Sequence, residues 1–152
     1  MSATIGALSR VPDGPWAGWF SWADPVSGTF LDLIGTSYSR SDAAGKAIVM
    51  LESRPHHANR LKVLHGGFLA GFADHAYFAA LAAMGRPEQV AAVTVDLTMQ
   101  YCGAGQIGPN LRADVELLRE TGRLMFMRLT ISQDDVLIAS STATVRKAPS
   151  PK

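Results

Sequence analysis

From residue 93 onward the chain alternates. Val93, Val95, Leu97, Met99 and Tyr101 are apolar, and Thr94, Asp96, Thr98 and Gln100 lie between them. A period of two predicts a half-buried strand. Three more strands are expected over Leu111 to Arg119, Leu124 to Ser132 and Val136 to Arg146. Gly103, Gly105, Gly108 and Pro109 make the first turn, Thr121-Gly122 the second and Asp134-Asp135 the third. Upstream the pattern differs. Residues 65–84 (HGGFLAGFADHAYFAALAAM) are Ala-rich and apolar nearly all round, and Gly85 and Pro87 end the run. A helix without a polar face is buried on most sides. Gly45 to Leu51 reads as a strand, with Ile48, Val49 and Met50 favouring extended backbone. Residues 52–64 are polar, contain Pro55 and read as a loop.

The order is strand, long helix, then a meander of four antiparallel strands. That is an α+β arrangement, with one antiparallel sheet curled around one central helix. The expected domain covers residues 45–146. Residues 1–44 precede it. Their aromatics Trp16, Trp19, Phe20, Trp22 and Phe30, interrupted by Pro25 and Gly28, predict one or two short helices packed as a lid or edge layer. Residues 147–152 (KAPSPK) read as a flexible tail.

Composition narrows the class. A chain of 152 residues supports one core. Hydrophobic residues make up 47% and charged ones 18%. Typical soluble domains carry about 25% charge, so some surface is expected to be covered by a partner. A net charge of +1 excludes a strong nucleic-acid footprint. The lone Cys102 permits neither an internal disulfide nor a thiolate zinc site. No secretory signal or long apolar run is visible. A cytoplasmic location away from membranes is expected.

Asp74 is the anomaly. It lies mid-helix among Phe72, Ala73, Tyr77 and Phe78. Asp is a poor interior helix former and is rarely buried unpaired. A local hydrogen bond would explain it; so would a functional site, where local rules tend to be broken. His65-Gly66-Gly67 opens the helix, where free N–H groups and the positive dipole end can cradle a developing oxyanion. Taken alone, those three residues read equally well as a flexible helix start with a satisfied His. Asn59, six residues before His65, can add an amide donor. Thr94 lies on the polar side of the following strand. All four histidines fall between residues 56 and 75, but no metal-ligand spacing appears and no metal is expected.

Gly66 and Asp74 are eight residues apart, about 12 Å along a helix axis. Catalytic groups act within about 3 Å of their targets. One helix therefore does not bring both to one carbon, whereas two antiparallel copies across a two-fold axis do. A site shared between subunits is the expectation.

The pattern N-x5-HGG-x6-D, Asn59 to Asp74, followed by TVDLTMQY at 94–101 and ETGR at 120–123, resembles the hotdog-fold thioesterases of the phenylacetate-degradation (PaaI-like) acyl-CoA group. The resemblance covers roughly residues 45–146. It implies a hotdog fold and acyl-CoA hydrolysis, with coenzyme A as part of the substrate and no separate cofactor. Asp74 would be general base or nucleophile. Gly66 and Asn59 would polarise the carbonyl, His65 would arrange the cradle, and Thr94 would hold the water or the carboxylate. Gly67, Arg119, Gly122, Arg123 and Arg146 are the implied substrate contacts. The resemblance also implies a homodimer or homotetramer. His75 departs from the small or polar residues commoner after the Asp. Two alternatives remain: a hotdog hydratase or dehydratase, and a non-catalytic acyl-CoA sensor.

Overall fold

A computed structural model describes residues 7–23 and 28–149. Its frame is one eight-stranded antiparallel sheet in the order β1-β2-β3-β4-β6-β7-β8-β5. The strands are β1 (Ala7–Arg10), β2 (Phe20–Ala23), β3 (Ser37–Ala43), β4 (Lys46–Leu51), β5 (Val93–Tyr101), β6 (Leu111–Glu120), β7 (Leu124–Gln133) and β8 (Val136–Arg146). A short helix α1 (Phe30–Ile34) precedes β3, and the long helix α2 (Gly66–Ala83) follows β4. The sheet curls around α2, whose Phe72, Ala73, Ala76, Tyr77, Ala79, Ala80 and Leu81 are fully buried. Among the described residues no helix is long and apolar enough to cross a membrane.

The expected helix and the four strands after residue 90 are present. The connection between those strands differs. Only β6, β7 and β8 form a meander, because β5 crosses over to pair with β8. That leaves β5 as an outer edge. The N-terminal segment differs more. Instead of a helical layer, its described residues supply three strands and the short helix α1. Trp22 pairs with Ser37 and Leu8 in the ladder, so Phe20 and Trp22 pack as sheet residues, while Trp16 and Trp19 lie in the β1–β2 connection and Phe30 in α1. Strand preference depends on what a segment packs against, and here β3 offers a free edge. The expected boundary at 44/45 falls inside the tight β3–β4 turn, so one sheet runs across it. Part of the residue 147–152 segment is also tied down. Lys147 Nζ lies 2.5 Å from Glu120, and the Ala148 N–H donates to Gln89 Oε1. Pro25, expected to interrupt the aromatic segment, lies outside the described set, as do residues 150–152.

Strict alternation would place Thr94 with Asp96 and Thr98 on the outer face. A β-bulge between Thr94 and Asp96 overrides it. Thr94 stands opposite Val145 and Leu97 opposite Ala143, both buried partners, so Thr94 and Leu97 face inward together. The extra residue, Val95, is 61% exposed. Bulges re-aim side chains in this way.

His75 belongs to the core. Its Nε2 shares a 2.7 Å hydrogen bond with the fully buried Ser37 Oγ, and its ring stands edge-on to Trp22. Burial pushes its pKa down to about 4. The folded chain thus holds His75 neutral, while the unfolded chain takes up a proton below about 6.5. This contribution to stability is complete above pH 6.5 and is lost as pH falls towards 4. Urea unfolding at stepped pH should show a fall on the order of 3 kcal/mol across that window. The fall should be clearly smaller in His75→Gln.

Candidate active site

The start of α2 is built by the loop before it. The Asn59 N–H bonds to Val63 O, the His65 N–H to His57 O, and the Leu64 N–H to Gly105 O. His65 is the N-cap, and its Nδ1 accepts the Gly67 N–H at 2.8 Å. A side-chain acceptor at this position satisfies one of the orphan donors of a first turn. The Gly67 N–H is thus engaged within the turn, while Gly67 itself lines a cavity of 290 Å³ with Phe30 and Phe68. Gly66 carries the other feature of the turn. The Tyr101 hydroxyl, at the end of β5, donates to Gly66 O at 2.8 Å. A Cβ at residue 66 would stand 3.3 Å from the tyrosine ring, so Gly66 is what allows this approach.

Asn59 is half-buried, and its Oδ1 accepts the Leu61 and Val63 N–H groups at 2.8 and 3.3 Å. Its carbonyl thus shapes the loop, and its Nδ2 has no partner among the described residues. His57 is fully used within the fold. Its Nδ1 accepts the Arg54 N–H, its Nε2 faces Leu33 O at 2.8 Å, and its ring stacks on Phe68. His56 Nε2 reaches the same Leu33 carbonyl at 3.0 Å.

Asp74 sits two turns further along α2 and is half-buried. Thr94 Oγ1 donates to its Oδ1 at 2.5 Å. The carboxylate is fixed from the edge strand, and its second oxygen is left for another partner. Asp74 also lines a 260 Å³ cavity with Trp22, Phe30, Ile34, Gly71 and Phe78.

The predicted residues thus fall into three places. Asp74 and Thr94 meet. Asn59, His65 and Gly66 gather at the start of the helix, where Gly66 is eight residues away from Asp74. Gly122, Arg123 and Arg146 line a third place with Lys147, a groove of 440 Å³. Arg119 is exposed on β6 beside a bulge, outside the lining of that groove. Tyr101 and Lys147 were missed. The inward alternation of β5 pointed towards Tyr101, whereas Lys147 lay in a segment read as tail.

Comparison with known proteins agrees with this architecture. The model of the thioesterase superfamily matches residues 61–139. A Pseudomonas aeruginosa protein described as a candidate esterase is 30% identical over 116 residues, which is 76% of this chain and 86% of that protein. The structure of a point mutant of the phenylacetic acid degradation protein PaaI from Thermus thermophilus is 26% identical, with a TM-score of 0.64. That match covers 78% of this chain and 98% of the other. A hypothetical thioesterase of Streptococcus pneumoniae, solved with coenzyme A, shares the fold at 16% identity, a TM-score of 0.66 and coverage of 76% and 88%. With its curled sheet, central helix and family match, the chain belongs to the thioesterase superfamily and is a hotdog-fold thioester hydrolase.

Proposed function

We propose that the chain hydrolyses an acyl-CoA thioester to a free acid and coenzyme A, in a site that two copies complete together. The short bond from Thr94 to Asp74 is the observation that carries this reading. It holds one carboxylate oxygen and leaves the other to activate water or attack the thioester carbon. Water activation forms the carbon–oxygen bond as the carboxylate takes the water's proton. The carbon–sulfur bond then breaks and the thiolate of coenzyme A leaves. Direct attack gives an acyl–Asp74 anhydride with loss of the thiolate, and water then hydrolyses it.

The oxyanion needs donors, and those nearest in type are the Gly66 N–H and the Asn59 amide. Gly66 lies about 12 Å along the helix axis from the Asp74 of the same chain, and Asn59 belongs to the loop at that same end. The open edge of β5 supports the way around this distance. It is nine residues long, pairs only with β8 among the described strands, and exposes Val93 and Val95. Exposed strand edges of this length are normally blunted or covered. Pairing two β5 edges about a two-fold axis runs the two α2 helices antiparallel. Asp74 of each copy then faces the helix start of the other. The groove of Gly122, Arg123, Arg146 and Lys147 offers cations to the phosphates of coenzyme A. The coenzyme A bound by the Streptococcus pneumoniae fold neighbour is in keeping with that assignment.

Asp74→Ala should lower kcat by about 10²–10⁴, the usual worth of a general base, with little change in acyl-CoA affinity. Thiol release and calorimetry read the two effects, and a near-normal kcat would contradict the assignment. Asn59→Asp keeps the loop acceptor and loses the amide donor. Mixed with Asp74→Ala, it should restore about a quarter of native activity, because half the dimers carry one intact site. No recovery would place both groups in one subunit.

A further inference from the structure

The free edge of β5 carries a pattern as well as open backbone groups. The Cys102 N–H donates to Ile138 O, and upstream the ladder sets Gln100 opposite Ser140 and Thr98 opposite Thr142. Backbone bonding alternates along an antiparallel pair. Thr98 and Gln100 therefore bond towards β8, in the same direction as Cys102. Leu97, Met99 and Tyr101 aim their N–H and C=O groups at the free edge. The side chains alternate between the two faces of the sheet. Leu97 and Met99 pack against the core, whereas Asp96, Thr98 and Gln100 are exposed on the outer face.

A second copy added to this edge about a two-fold axis has few registers open to it. An axis between two residues sets inward side chains opposite outward ones and mismatches the bonding groups. An axis through one residue remains. At Asp96 it opposes two carboxylates, which repel. At Leu97 it sets Gln100 against Thr94, which faces the other way, towards Asp74. At Met99 it sets Asp96 against Cys102 and gives the carboxylate no amide donor. At Thr98 every pair matches. Leu97 then meets Met99 on the inner face, while on the outer face Thr98 meets Thr98 and Asp96 meets Gln100. The Gln100 amide is already oriented for this, because Ser140 Oγ donates to its Oε1 at 3.5 Å and leaves Nε2 to donate. At this register Tyr101, 53% exposed, comes level with the partner's Val95 beside the partner's Thr94. Tyr101 holds Gly66 and Thr94 holds Asp74, so each helix start is brought towards the partner's carboxylate.

We propose that two copies join along β5 with the two-fold axis at Thr98, and that Gln100 Nε2 of each copy donates to the partner's Asp96. The inference rests on the shared-site reading and names the contacts that select the partner, a second copy of this chain. The two Gln100–Asp96 pairs fix the register. The register in turn fixes the spacing from Gly66 to the partner's Asp74.

Engineered cysteines read the register directly. The native thiol, the exposed Cys102, is first replaced in a Cys102→Ser background. Thr98→Cys, Asp96→Cys and Gln100→Cys are then each oxidised with copper phenanthroline. Opposed residues of a non-hydrogen-bonded pair have Cα atoms about 4.5 Å apart, within the reach of a disulfide. Thr98→Cys should therefore link to itself in most chains. Asp96→Cys and Gln100→Cys should each self-link at least about tenfold less. Coexpressed in equal amounts, those two should link to each other in about half the chains, the share found in mixed dimers. Predominant self-linking at residue 96 or 100, or no link in either Thr98→Cys or the mixture, would overturn the proposal. The mixture decides where Thr98→Cys does not fold. Thiol release by the native chain separates the two levels. Turnover of acyl-CoA together with links at another position keeps the proposed function and overturns this register. Absence of turnover refutes the function, while self-linking at residue 98 still supports the register.

Discussion

The hydrogen bond from Thr94 to Asp74 organises the proposed site of this molecule. A carboxylate in the middle of a buried helix is costly unless something holds it. Here the holder is a hydroxyl on the outermost strand, and it reaches inward only because β5 carries a bulge at Val95. The bulge, the crossover of β5 to β8 and the helix inside the sheet are parts of one arrangement. Without the crossover β5 would be an interior strand. Without the bulge Thr94 would face outward and Asp74 would lose its partner.

The same strand serves the other end of the helix. Tyr101, seven residues after Thr94, donates to Gly66 O. One edge strand thus braces the start of α2 and its acidic residue, and it does so while its outer side is open. On the proposed reading, activity depends on a second copy pairing with that edge. The low charge content of the chain fits this picture, since a covered edge needs less solvation.

The helix, the later strands and the oddity of Asp74 were legible in the sequence because each rests on a local pattern. Apolar residues all round predicted burial of α2, and alternation predicted the strands. The crossover was not legible, because local periodicity is silent on which strand neighbours which. Nor was the bulge: one extra residue reverses the facing of Thr94 without disturbing the apolar–polar rhythm read along the chain. The aromatics of residues 16–34 misled for a related reason. Short aromatic segments accept helix or strand, and for Phe20 and Trp22 the free edge of β3 decided it. At the helix start, HGG signalled a set of donors, but the use of the Gly67 N–H by His65 is a matter of side-chain geometry.

The central claim is that one chain holds half a site. The most direct measurement follows specific activity and sedimentation velocity together over a dilution series. Activity per chain should fall in proportion to the dimer fraction and approach zero for the monomer. A monomer that sediments as a single chain and keeps full activity would contradict the account.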